Sequence, residues 1–210
     1  MDIAVLARDA WELTGESARV LVGLAGPPGA GKSTLARALV AEVERGHGAG
    51  SAAYLPLDGF HLSNAQLARL GLTSRKGSEP SFDVRGYAAL LARVREDTGH
   101  HIYVPDYDRT LHEPVAARHV VPAGARLVVT EGNYLVCDLP GWREATALLA
   151  ARWYVDTPPG LRRERLVRRQ REGGRDEAAA LAWVAGNDWP NTELVERHRS
   201  RADRFLTATT

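Results

Sequence analysis

Cysteine is almost missing from this chain. Cys137 stands alone among 210 residues, so no intrachain disulfide can form. That suits a reducing compartment, and no nucleophile signature surrounds the thiol. Long hydrophobic runs are missing too. No stretch approaches the ~18 apolar residues of a membrane-spanning helix. Asp2, Arg8, Asp9 and Glu12 interrupt the first segment, which excludes the signal-peptide pattern. A soluble, cytoplasmic protein without a membrane partner is expected. Neither sign of charge dominates: 27 basic and 26 acidic residues leave a net +1, so no global field draws nucleic acid. The seven histidines and one cysteine lack zinc-ligand spacing. No repeat, low-complexity tract or linker divides residues 1–210, so one domain is expected, and a homodimer stays open.

Lysine is the scarcest charged residue. Only Lys32 and Lys76 are lysines among the 27 basic residues; the others are arginine. An ammonium is a compact point charge with rotatable donors, whereas a guanidinium is a rigid planar fork. A position that keeps lysine in such a chain asks for a chemical reason.

The hydrophobic pattern alternates between two periods. Ile3, Leu6, Ala7, Ala10 and Leu13 recur at helical spacing behind Asp2, a plausible N-cap. Arg19 to Ala25 (RVLVGLA) reads as a buried strand. Leu35, Leu39 and Val43 mark a helix ending near Gly46; Ser51 to Leu57 is a second strand, and Ala65 to Leu70 a short helix. Gly71 to Ser81, with its charges, glycines and proline, reads as a mobile loop. Tyr87, Leu90, Leu91 and Val94 make another helix, and His101 to Pro105 is an apolar segment. Arg126 to Thr130 and Arg152 to Asp156 are further strands. The last third reads as helical, broken at Gly173-Gly174 and at Asn187 to Pro190. Strands alternating with helices predict a doubly wound α/β fold, its mainly parallel sheet covered by helices on both faces.

Gly26, Pro27, Pro28, Gly29, Ala30, Gly31, Lys32, Ser33 and Thr34 spell GPPGAGKST, a match to G-x-x-x-x-G-K-[ST]. It lies between a predicted strand and a predicted helix, the context this motif requires. Glycines let consecutive backbone N–H groups converge on an anion, and the next helix points its positive end at the same place. Lys32 is positioned for β- and γ-phosphates and Ser33 for Mg²⁺, with Thr34 a further phosphate contact. ATP and Mg²⁺ are the implied cofactors.

Two acidic residues end predicted strands: Asp58 in LPLDGFHLS and Glu131 in LVVTEGNYL. Ligands of open α/β sheets sit beyond the carboxyl ends of strands, so both carboxylates should face the crevice of the glycine-rich loop. GPPGAGKST, LPLDGFHLS, VVTEGNYLV and RRERLVRRQ, in that order, resemble the uridine kinase, phosphoribulokinase and bacterial pantothenate kinase group of P-loop kinases. EPSFD at Glu79 to Asp83 is similar to a pantothenate kinase segment. NDWPN at Asn187 to Asn191 is similar to the kinase-like branch associated with bacterial sugar transporters. The resemblance implies a P-loop NTPase-type fold with an Arg-rich helical lid. It implies an ATP-dependent kinase acting on a hydroxyl of a small molecule. Asp58 would be the base. Glu131 would hold Mg²⁺, directly or through water, or contact substrate. Arg165 and Arg169 would belong to a lid closing on ATP.

Arg162, Arg165 and Arg169 share one helical face within the basic segment. His61, Tyr107, Arg109 and Asn187 are candidate substrate contacts. Lys76 is expected to touch the phosphoacceptor or the transferring phosphate, because it interrupts the chain's preference for arginine and lies beside Gly77 in a long loop. The alternative is a P-loop NTPase or nucleotide-binding regulatory protein without a small-molecule acceptor. Against a GTPase, neither lysine sits in N-K-x-D; against a motor ATPase, Glu131 is followed by glycine rather than a second acid.

Overall fold

The computed structural model describes residues 2–207. Asp2 accepts the Ala4 N–H at 2.9 Å and caps α1 (Ile3–Glu12). β1 (Val20–Ala25) is buried along its whole length. α2 (Lys32–His47) begins at Gly31, whose φ of 92° favours glycine. Then come β2 (Ala52–Pro56), α3 (Asn64–Arg69), α4 (Val84–Glu96), β3 (Ile102–Asp108) and β4 (Glu113–Val121). β5 (Leu127–Gly132), α5 (Trp142–Thr146), β6 (Ala151–Asp156), α6 (Pro159–Glu172), α7 (Glu177–Trp183), α8 (Trp189–Arg197) and β7 (Arg204–Thr207) complete the order. Among the described residues, no helix is long and apolar enough to cross a membrane.

The main sheet runs β2-β5-β1-β6-β7 with every neighbouring pair parallel. Alternate residues of its strands feed two core layers. Val20, Val22 and Leu24 pack with Leu6, Ala10, Leu35 and Leu39 of α1 and α2. Leu21 and Ala25 pack on the other face with Tyr87, Leu91, Trp142 and Val195 of α4, α5 and α8. Helices thus cover both faces, as the alternation of periods predicts.

Some expectations need correction. β3 and β4 form a separate antiparallel hairpin; β4 was not anticipated, because Glu113, Arg118 and His119 interrupt its apolar residues and only Val121 is fully buried. β7 was missed as well: it is four residues long and only Leu206 is buried. The 71–81 loop is pinned rather than mobile. It holds two short 3₁₀ turns, Thr73–Arg75 and Glu79–Ser81. Buried groups hold it: the Tyr134 hydroxyl donates to the Gly77 carbonyl at 2.7 Å and the Trp142 indole to Glu79 at 2.6 Å. The break expected at Asn187 to Pro190 is a π-turn, Val184–Asp188, leading directly into α8. Pro190 falls in the first turn of α8. Arg162 is not on an open lid face. It is buried, donating to the Thr157 carbonyl at 3.0 Å and to Glu196 at 2.7 Å.

Candidate active site

Parallel register brings three strand ends together. Glu131 in β5 lies across from Pro56 of β2 on one side and Leu24 of β1 on the other. The turns that follow β2 and β1 carry Asp58 and Gly26, so the two carboxylates and the glycine-rich loop share one crevice.

The loop's shape is fixed by backbone. Gly26, Gly29 and Gly31 have φ of 146°, 77° and 92°. A Cβ on Gly26 would stand 2.8 Å from the Val155 carbonyl, and one on Gly29 2.9 Å from that of Arg162. Side chains are excluded twice over, by dihedral and by space. Pro27, Pro28 and Ala30 are buried in the same turn, while Thr34 is exposed.

Lys32 is buried and donates to the Pro27 carbonyl at 3.0 Å and Asn133 Oδ1 at 2.7 Å. Burial lowers its pKa to about 8, against the opposing pull of Glu131 and Asp58. Glu131 Oε1 accepts from the Ser33 hydroxyl at 2.9 Å and the Tyr54 hydroxyl at 2.8 Å. Burial, then repulsion by Asp58, pushes the Glu131 carboxyl above its usual range, with Lys32 pulling the other way.

Asp58 sits in a 3₁₀ turn, Leu57–Phe60, pressed against β3. A Cβ on the adjacent Gly59 would lie 2.3 Å from the Pro105 carbonyl, so glycine alone allows this approach. Arg109 Nη2 reaches Asp58 Oδ2 at 3.3 Å. His61 Nδ1 lies 2.8 Å from the Asp58 carbonyl, which assigns its proton to Nδ1. Burial lowers the His61 pKa, so the ring is neutral near pH 7. That ring packs between Phe82 and Tyr107, at centroid distances of 4.1 and 4.9 Å.

The remaining candidates divide. Arg165 Nη1 lies 3.4 Å from the Gly29 carbonyl, over the glycine-rich loop. Arg169 faces Asp188 at 3.7 Å and contributes to the field at Lys32. Lys76 reaches the acceptor side, over the Tyr107 ring at 5.0 Å, but its ammonium bonds to Asn64 Oδ1 and the His112 carbonyl. Asn187 needs correction. Its amide donates to the Lys76 carbonyl at 2.8 Å and the residue is buried, so it braces the loop instead of presenting that amide to a substrate. Asn191 does the same at Gly77, 3.2 Å away.

Sequence reasoning passed over Asn133 and Tyr54. Asn133 lies in the EGNYL segment and could have been flagged from its place two residues beyond Glu131. Tyr54 had no signal, since its contact depends on the pairing of β2 with β5.

No protein-family model matches the chain. A protein of Schizosaccharomyces pombe, provisionally named a uridine kinase, is 31% identical over 93% of this chain and 86% of its own. The pantothenate kinase of Clavibacter michiganensis is 30% identical over 96% of this chain and 71% of its own. The crystal structure of a Silicibacter protein, provisionally named a fructose transport system kinase, aligns with a TM-score of 0.88 at 34% identity, covering 98% of this chain and 99% of that one. The chain belongs to the P-loop kinases of the uridine kinase and pantothenate kinase group.

The site of this P-loop kinase fits a divalent cation. Ser33 and Glu131 are oxygen donors 2.9 Å apart. Repulsion between Glu131 and Asp58 is the kind that a cation relieves. Among the described residues, no cluster of three or more His, Cys, Asp or Glu side chains forms a complete metal cage. Mg²⁺ needs none, as it takes most of its ligands from phosphate and water.

Proposed function

We propose that this kinase transfers the γ-phosphate of ATP to a hydroxyl of a small metabolite, with Asp58 as general base. The observation that carries the reading is the meeting of Lys32, Ser33, Glu131 and Asp58 at three adjacent strand ends. The glycine-rich loop and the N-terminus of α2 hold the phosphates through backbone N–H groups. Lys32 turns from Pro27 and Asn133 to the β- and γ-phosphates, and its charge offsets charge that develops during transfer. Ser33, and Glu131 directly or through water, would hold Mg²⁺, which would supply neutralising charge at the phosphates. Asp58 accepts the acceptor's hydroxyl proton as that oxygen bonds to the γ-phosphorus and ADP leaves with the electron pair of the broken P–O bond. Arg165 and Arg169, on α6, close over the nucleotide and exclude water, which would otherwise compete as acceptor.

The names of the relatives span a nucleoside, pantothenate and a sugar, which supports a compact alcohol as acceptor without choosing one. The test is a panel of such alcohols with MgATP, scored by ADP release and product mass. An acceptor should accelerate ADP release well beyond hydrolysis. ATP hydrolysis that no acceptor accelerates favours the NTPase alternative and sinks this reading.

A further inference from the structure

We propose that the acceptor carries an anionic group, a carboxylate or a phosphate monoester, a few bonds from its reacting hydroxyl, and that Arg109 binds that group. This rests on the kinase reading above and on the placement of Asp58 within it.

The cations beside Asp58 on the acceptor side are Lys76 and Arg109. Lys76 is committed: its ammonium bonds to Asn64 and the His112 carbonyl, with Glu113 nearby. His61 is neutral and donates to backbone. Arg109 remains, its side chain 60% exposed. Among the described residues its side-chain partner is a single oxygen, Asp58 Oδ2, at 3.3 Å. A guanidinium carries five N–H donors in a planar fork, so most of its capacity is unused here.

The backbone around Arg109 is tied down on both sides. Asp108 Oδ1 accepts the Thr110 and Leu111 N–H groups at 2.8 and 2.9 Å, and Arg118 holds the other Asp108 oxygen at 3.0 Å. His112 adopts a φ of 54°, uncommon for a residue with a side chain, and Lys76 grips its carbonyl. The Glu113 carboxylate accepts the Asn64 N–H at 3.0 Å. The neighbouring acids are therefore engaged elsewhere, and Arg109 combines a fixed backbone with a free head group.

The Arg109–Asp58 contact also engages one oxygen of the base. Asp58 must offer its carboxylate to the acceptor hydroxyl, while Arg109 occupies one of its oxygens. A neutral acceptor gives the guanidinium nothing in exchange. An anionic acceptor gives it a bidentate partner and frees Asp58 Oδ2 in the same event. Since the two groups touch, the anion and the hydroxyl of the acceptor must be close. Short hydroxy acids and polyol monophosphates meet that demand.

The experiment uses matched pairs with MgATP: D-glycerate and glycerol, glycolate and ethylene glycol, glycerol 3-phosphate and glycerol. Wild-type protein should favour the anionic member of at least one pair by about tenfold or more in kcat/KM. Which pair responds tells carboxylate from phosphate. In Arg109→Ala that preference should vanish through a raised KM for the anionic member. Arg109→Lys should restore part of it. Circular dichroism melting of each variant checks that it is folded. Equal kcat/KM within every pair overturns this inference alone, as does an Arg109→Ala variant that keeps the preference. No turnover with any member overturns this inference, while the kinase reading stands or falls on the wider panel of alcohols.

Discussion

The two sides of the crevice are built by different means. On the nucleotide side the shape resides in the backbone, in three glycines at positive φ, two of them with carbonyls of β6 and α6 packed where side chains would stand. On the acceptor side it resides in side chains. Lys76 ties the 71–81 loop to the β3–β4 hairpin, Glu113 ties the hairpin to α3, and Asn187 and Asn191 brace the loop from α8's end of the fold. A site made of backbone admits few sequences. One made of bridging side chains can be re-specified residue by residue while the fold stands. That is a physical reason why one architecture serves relatives named for different acceptors.

The largest effect should come from the backbone-built side. Lys32→Ala should lower turnover by on the order of 10³ or more, since it removes a charge aimed at the transferring group. Lys32→Arg should also fail, because the planar fork does not fit the pocket of Pro27 and Asn133. Near wild-type turnover in both would erase the comparison. Its pKa of about 8, set mainly by burial, sharpens it. Between about pH 8 and the ordinary value of 10.5, the unfolded chain holds more protons than the folded one. Stability of the nucleotide-free protein from this group therefore rises with pH in that window. ATP favours the charged form, so its stabilising shift in Tm should shrink from pH 7 to pH 9. Lys32→Met should flatten that dependence.

Asp58 stands at the boundary of the two sides. Asp58→Asn keeps shape and hydrogen bonding but cannot take a proton, and turnover should fall roughly 10²–10⁴-fold. Affinity for ATP, measured by calorimetry, should hold. Lost ATP affinity with normal turnover at saturation would move Asp58 to the nucleotide side and remove it as base.

The same division explains what could be read from the sequence. GPPGAGKST announces its conformation because glycine spacing and dihedral demand are local properties. Four strands of the main sheet, β1, β2, β5 and β6, were legible because burial on both faces leaves continuous apolar runs, whereas β7 buries only Leu206. Asp58 and Glu131 were legible as strand-end acids. β4 was not, since Glu113, Arg118 and His119 break its apolar pattern. Nor was the bracing by Asn187, whose partner, Lys76, is 111 residues away. Arg162 looked like one more lid arginine; its burial against Glu196 depends on how α8 packs, which no local pattern encodes.

A moderate effect is expected where the two sides press together. In Gly59→Ala the new methyl would meet the Pro105 carbonyl at 2.3 Å, and backbone cannot yield as a flexible side chain does. The hairpin must move. The stability loss should be about 1–3 kcal/mol, the range for overpacking. Urea unfolding measures it, and the KM for acceptor should rise more than the KM for ATP. Equal rises would mean that the turn carrying Asp58 supports both sides alike.

The smallest effect, and the finest cut, is expected at Lys76. A direct contact with the acceptor or the transferring phosphate was the expectation from sequence, but the ammonium is engaged by Asn64 and the His112 carbonyl, so its influence should pass through the hairpin tip. Lys76→Arg keeps the charge. Its planar fork cannot converge on two oxygens as a rotating ammonium does. The tip should shift slightly and carry Arg109 and Tyr107 with it. The KM for acceptor should rise severalfold, kcat should change less, and stability should stay within about 0.5 kcal/mol, as for a surface substitution. Asn64→Ala removes one of the same two anchors without touching the lysine, and should reproduce the direction of change. If Lys76→Arg lowers kcat sharply while Asn64→Ala does nothing, Lys76 acts on the transferring phosphate itself, and the acceptor side is less a scaffold of bridges than drawn here. If both raise the KM in parallel, the lysine was kept for its geometry at the tip.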